Sequence, residues 1–132
     1  MAAHVVATVA EIPEGGRKTA EVAGRRIVVF NLGGEFFALL DRCPHQGGPL
    51  SEGILCGLVE AETPGRYRYS RAGEFIRCPW HAWEFDVRTG RSQVDPRRIK
   101  TRAFPARVEP GAALVAETFP VRVEEDYVVV EA

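Results

Sequence analysis

Two short clusters hold four of the six thiol and imidazole side chains in this 132-residue chain. Cys43 and His45 lie in RCPHQGGPL, and Cys78 and His81 in RCPWHAWEFD. Cys56 and His4 are left over. An odd cysteine argues against a disulfide framework, so the pairs read as candidate ligands. In each cluster a strand-like segment, Glu35–Leu40 or Phe75–Arg77, runs into Cys-Pro, and turn residues follow. A spacing of one or two residues lets a thiol and an imidazole point the same way. The proline stiffens each turn by fixing φ. Two such loops can converge on one metal centre.

Two thiolates and two imidazoles suit a tetrahedral zinc. They also suit an asymmetric [2Fe–2S] cluster, with sulfur on one iron and nitrogen on the other. Zinc sites usually pair like with like. Here each cluster is mixed, so that each loop can give one ligand to each iron. The segments C-P-H-Q-G-G-P-L and C-P-W-H-A-W-E-F-D resemble the two cluster-binding loops of Rieske-type iron–sulfur proteins. The match is specific over about residues 41–50 and 77–90. It implies a Rieske-type [2Fe–2S] cofactor. It further implies Cys43 and Cys78 as ligands of the inner iron, with His45 and His81 on the outer one.

The same resemblance sets expectations about the kind of carrier. Respiratory-chain members have a disulfide where Gly48 and Trp80 stand here, and hydroxyls where Trp83 and Phe85 stand. A hydroxyl donating to a cluster sulfur favours the reduced state, so its absence implies a low potential. That pattern is similar to ferredoxins that pass electrons from a reductase to a terminal oxygenase. Ala82 replaces a glycine usual in the second loop, which is expected to be tolerated at negative φ. The stretch between the loops is longer than usual, with the excess near 53–73. Pro64-Gly65 marks a turn there. YRYS (67–70) and EFIR (74–77) could pair, giving a longer hairpin beside the cluster.

The rest of the chain reads as all-β. Short strands are expected at Val5–Val9, Lys18–Val22, Arg25–Leu32, Glu35–Leu40, Glu84–Val87, Ser92–Val94, Phe104–Val108, Ala113–Glu117, Val121–Val123 and Val128–Val130. Gly- and Pro-rich turns separate them, and no helical period is sustained. RAFPARVEPG and ETFPVRVEED look like two versions of one edge strand. The architecture implied is a single Rieske-like antiparallel β-sandwich over 1–132, with a cluster-binding subdomain inserted at about 41–90.

Lys plus Arg number 17 and Asp plus Glu 18, a formal charge of -1. That balance argues against nucleic-acid or membrane partners recognised through bulk charge. No apolar run is long enough to span a bilayer. The first residues show no secretory signal, so a cytoplasmic location is expected. The chain has no G-x-G-x-x-G after a strand. With only His4 spare it cannot build a 2-His-1-carboxylate iron site. It is therefore expected to be no enzyme, with no catalytic residue. The expected role is an electron carrier between an NAD(P)H-dependent flavoprotein or ferredoxin reductase and a terminal oxygenase. The alternatives are a small Rieske subunit of a nitrite reductase-like complex and a zinc-stabilised interaction module. Cys56 is expected to be a bystander thiol and His4 a solvated terminal residue. Of Trp80 and Trp83, one is expected to cover the cluster loop and at least one to be core. The basic stretch from Arg88 to Arg102 is a solvated face or a docking patch for an acidic partner.

Overall fold

Two-residue turns fix the register of the largest sheet. Val22 pairs with Arg25 across Ala23-Gly24, and Leu32 with Glu35 across Gly33-Gly34. All four turn residues have positive φ, the mirror-image turn whose twist matches that of the flanking strands. The computed structural model describes residues 2–44, 47–80 and 82–132, with main chain alone at 60–62. In chain order the strands are β1 (Ala3–Thr8), β2 (Arg17–Val22), β3 (Arg25–Leu32), β4 (Glu35–Leu40), β5 (Ile54–Thr63), β6 (Arg66–Arg77), β7 (Glu84–Asp86), β8 (Ala103–Phe104), β9 (Ala106–Pro110) and β10 (Asp126–Glu131). One short α-helix, α1 (Gly111–Ala116), lies between β9 and β10. The strand pairs are antiparallel. No helix among the described residues is long and apolar enough to cross a membrane.

The chain divides into two compact units, residues up to Leu40 with Ala103–Ala132, and Asp41–Arg102. The first unit contains the sheets β2-β3-β4-β8 and β1-β10-β9. Ile27 and Val29 of β3 share a buried cluster with Val128 and Val130 of β10, joined by Ile12, Phe36 and Phe104. The opposite face of β10 buries Tyr127 and Val129 against Leu114 of α1, with Phe119 and Val121 packed alongside. Asn31 ties the loop before β2 to this body. Its Nδ2 donates to the Ile12 carbonyl at 2.8 Å and its Oδ1 accepts from Gly34 N–H at 2.8 Å.

Three expectations fail in this unit. Ala113–Glu117 is not a strand but lies largely in α1, where Ala and Leu favour helix and Leu114 is fully buried. Val121–Val123 is loop, so ETFPVRVEED is no second copy of the β8–β9 edge. The Tyr127 hydroxyl accepts from Arg122 N–H at 2.9 Å, which holds that loop beside β10. His4 is not a solvated terminus. It sits half-buried in β1, opposite Val130.

The second unit is built on the sheet β5-β6-β7. Its base is three rungs deep, with Ile54, Leu55 and Cys56 facing Arg77, Ile76 and Phe75, which face Glu84, Phe85 and Asp86. Beyond Cys56 the register breaks, and residues 71–74 bulge opposite Gly57. The hairpin then resumes from Leu58↔Ser70 to Thr63↔Arg66, closing at Pro64-Gly65. YRYS and EFIR therefore do not pair with each other. Both lie in β6 and both pair with β5. Arg71 sets the bend: its φ is 51°, its guanidinium covers the Phe75 ring at 4.6 Å, and it donates to Asp86 at 2.9 Å and Glu74 at 3.2 Å.

Asn31→Ala deletes two hydrogen bonds at a site with only 6% exposure. Denaturant unfolding is expected to show a loss of about 2 kcal/mol, since each orphaned partner costs about 1 kcal/mol or more.

Candidate metal centre

Each loop closes through the peptide group of its own cysteine. Cys43 N–H donates to the Gly48 carbonyl at 2.8 Å, and Gly47 N–H donates to the Cys43 carbonyl at 2.7 Å. In the second loop Cys78 N–H donates to the Trp83 carbonyl at 2.7 Å, and Ala82 N–H to the Cys78 carbonyl at 3.0 Å. The offsets are the same in both loops, five residues forward and four back. Both loops need a left-handed residue at the fourth position. Gly47 has φ 81° and Ala82 φ 57°. The condition for tolerating a Cβ at Ala82, a negative φ, is thus not met. Its Cβ sits in the left-handed region at a cost of about 1 kcal/mol, offset by the two hydrogen bonds that close the turn.

Both thiols are buried, and neither Cys43 nor Cys78 is in a disulfide. The loops meet at Gly48. A Cβ built there would stand 3.0 Å from Cys78 Sγ and 3.0 Å from the Trp80 indole. One residue of the first loop therefore holds the Cys43 amide by its carbonyl and abuts the Cys78 sulfur with its Cα. His45 and His81 lie outside the described residues. Among the described residues no group of three or more His, Cys, Asp or Glu side chains converges.

Neighbouring contacts hold the first loop in place. Buried Asp41 accepts from Ser51 N–H at 2.6 Å and from Ser51 Oγ at 2.7 Å, tying the residue two before Cys43 to Ser51. Nothing in the sequence marks that pair. Gly53, next along, packs against the backbone just before Cys78, and a Cβ there would lie 1.9 Å from the Arg77 carbonyl oxygen. Neither tryptophan is core. Trp83 is half-buried, and Trp80 lies against Gly48 with 56% exposure.

Cys56 stands apart from both loops, on β5. Its thiol donates to Glu84 Oε2 at 2.7 Å, spanning β6 to reach β7. Burial, followed by the adjacent Glu84 carboxylate, pushes its pKa up to about 12. The hydrogen bond requires the protonated thiol, so this cysteine stays neutral well above the usual range.

The Rieske [2Fe-2S] domain model matches residues 2–105. A 3-phenylpropionate/cinnamic acid dioxygenase ferredoxin subunit from Photorhabdus laumondii subsp. laumondii is 32% identical over 106 residues, spanning 80% of this chain and 86% of that one. Among solved structures, the ferredoxin of carbazole 1,9a-dioxygenase from Nocardioides aromaticivorans IC177 aligns over 97% of both chains with a TM-score of 0.63 and 24% identity. A chain from the complex of reduced oxygenase and oxidized ferredoxin in carbazole 1,9a-dioxygenase aligns over 96% of this chain and 91% of its own, also with a TM-score of 0.63 and 24% identity. The structural matches establish likeness of fold.

Gly53→Ala forces the backbone away from Arg77 and is expected to lower the thermal midpoint by about 5–10 °C, as overpacking of about 1–3 kcal/mol does in a domain this size. Cys56 is expected to react with iodoacetamide at pH 8.5 about tenfold or more slowly than free cysteine, because the scarcity of thiolate outweighs its added nucleophilicity. Timed alkylation with mass spectrometry checks this.

Proposed function

The chain belongs to the Rieske [2Fe-2S] family, and from that premise we propose that Cys43 and Cys78 hold one iron of its cluster and His45 and His81 the other. The cluster-binding subdomain is the stretch of about 41–90. The protein works in the cytoplasm as a one-electron carrier, taking electrons from an NAD(P)H-dependent reductase and giving them to a terminal oxygenase. It has no catalytic residue of its own.

The contact at Gly48 carries this reading. Gly48 accepts from the Cys43 amide and, lacking a Cβ, lets the first loop come against Cys78 Sγ, so two buried thiols lie on loops that touch, and soft thiolates are what iron–sulfur ligation asks for. When bound, the cluster accepts and returns a single electron. The chain's own part is to keep the site still. Four hydrogen bonds made by the two cysteine peptide groups fix the thiols. Asp41 and Ser51 fix the loop that bears Cys43, and the Ile54–Arg77–Glu84 rung of the β5-β6-β7 base runs directly into Cys78.

The surroundings favour a low potential. Phe85 is fully buried and brings no hydroxyl, and the Trp83 carbonyl is already engaged by Cys78 N–H. Without those hydroxyl donors the potential lies toward the low end, about -150 mV, of the span for His-ligated clusters. The ferredoxin subunit relative and the oxygenase–ferredoxin complex support the direction of electron flow.

Anaerobically reconstituted protein is expected to be red-brown, with a midpoint potential below 0 mV by spectroelectrochemistry. Cys43→Ala and Cys78→Ala are expected to lose the visible spectrum, and Cys56→Ser to keep it. Colourless protein that binds stoichiometric zinc would overturn the proposal, as would bleaching by Cys56→Ser.

A further inference from the structure

The formal charge of -1 conceals a division between the two units. Asp41–Arg102 carries eleven Lys and Arg against eight Asp and Glu, and the remainder of the chain six against ten. The unit with the candidate cluster loops is therefore cationic at +3 and the other anionic at -4. The positive charge concentrates in residues 88–102, which hold six Lys and Arg and a single acid, Asp95.

That segment is a fastened loop. Arg91 and Lys100 face each other in an antiparallel bridge. Ser92 N–H donates to the Ile99 carbonyl at 2.9 Å, and Thr101 N–H to the Gly90 carbonyl at 2.8 Å. Ser92 and Thr101 point inward and are buried, while Arg91, Arg97, Arg98 and Lys100 point outward and are exposed. Thr101 Oγ1 also donates to the Arg42 carbonyl at 3.2 Å. The loop is thereby anchored to the residue that precedes Cys43.

Arg88 is paired with Glu74 at 3.0 Å, but the charges between Arg91 and Lys100 are little neutralised. Asp95 approaches Arg98 at 3.9 Å, where Arg98 is 86% exposed, a contact of small worth in water. Among the described residues Arg91, Arg97 and Lys100 have no acidic partner. A surface needed only for solubility intersperses both signs. Here like charges are held together on a pinned backbone, with Val94 exposed among them, the composition of an apolar contact within a charged rim. The loop contains no aromatic side chain to stack on a base, which favours a protein over a nucleic acid.

We propose that the loop Arg91–Arg102 is a docking surface for an acidic protein face on the redox partner, which it steers toward the cluster loops. This deepens the electron-carrier reading and rests on it. The field of the loop raises the encounter rate of an anionic partner, and salt removes that gain.

The test compares wild type with the triple variant Arg97→Glu/Arg98→Glu/Lys100→Glu and with a charge-matched control, Arg25→Glu/Arg26→Glu/Arg122→Glu, in the other unit. Dithionite-reduced protein is mixed in stopped flow with hexacyanoferrate(III), which takes one electron from each reduced cluster. At about 10 mM salt the loop variant is expected to react about tenfold more slowly than wild type, and the control to stay within about twofold. With the cationic tris(phenanthroline)cobalt(III) the loop variant is expected to react faster. A titration with poly-L-glutamate, read from amide NMR shifts at 91–102, needs no cluster. Wild type is expected to bind it at low salt and the loop variant not to. Equal rates in loop variant and wild type, with visible spectra intact, would overturn this inference and leave the carrier reading standing. An equal slowing by the control would overturn it too, and so would tighter binding to duplex DNA than to poly-L-glutamate. Protein without a visible spectrum would instead strike at the carrier reading, while the titration would still report on the loop.

Discussion

The closure of each cysteine loop on its own peptide group is the constraint from which the rest of the site follows. An N–H and a carbonyl of Cys43, and the same two groups of Cys78, are used up in four short hydrogen bonds. These bonds hold the Cα–Cβ direction of each cysteine, and close packing leaves the thiols 1% and 2% exposed. Both sulfurs are thereby buried, and a buried thiolate is costly unless a cation stands beside it. The protein builds a place that is poor for a bare anion and good for a metal–sulfur unit. The same stiffness suits a carrier, because an electron passes fastest between states that differ little in shape.

The two loops reach one backbone pattern from unlike sequences. Gly47-Gly48 and Ala82-Trp83 occupy the same two places. In the first loop the small pair lets the chain come against Cys78 Sγ. In the second, Trp83 fills the equivalent position and Ala82 accepts a left-handed backbone that its side chain alone disfavours. Local preference yields because the closing hydrogen bonds and the flanking sheet fix both ends of the turn. The Gly53 approach to Arg77 works in the same direction, joining the end of one loop to the start of the other.

The legible parts of this fold were those decided within a few residues. Gly33-Gly34 announces its turn, and each Cys-Pro opens a closed loop. Parts decided by distant partners were not legible. Six residues of α1 are too few to show a helical period, so its Ala-Ala-Leu-Val run passes for a strand. The alternation in Val121-Arg122-Val123 is strand-like, yet β10 already has β1 on one side and β9 on the other, leaving no edge for it to join. YRYS and EFIR looked like two strands because a bulge interrupts them, and only Arg71, reaching Asp86 and lying over Phe75, shows that the chain bends there without reversing. The Asp41–Ser51 pair depends on a ring closure that no local spacing reveals. The sequence places His45 and His81 beside the two cysteines, while their positions lie outside the described residues.

The bulge also explains how a long excursion can sit so near a site that must not move. The base rungs of β5, β6 and β7 bury Phe75, Ile76 and Phe85 and run straight into Cys78. Beyond the bulge the hairpin exposes Val59, Tyr67 and Tyr69, and its described side chains add nothing to that buried set. Arg71 marks the boundary, with Glu74 shared between it and Arg88 at 3.2 and 3.0 Å. The nearby arginines, Arg88 foremost, hold the Glu74 carboxyl below its usual pKa, and hydrogen bonding to Asp86 holds the Arg71 guanidinium above its own. Both groups therefore stay charged across the physiological range, and the planar guanidinium can stack on Phe75 and bond Asp86 at once in a way an ammonium cannot. These contacts pin the point where the hairpin leaves the rungs that lead into Cys78.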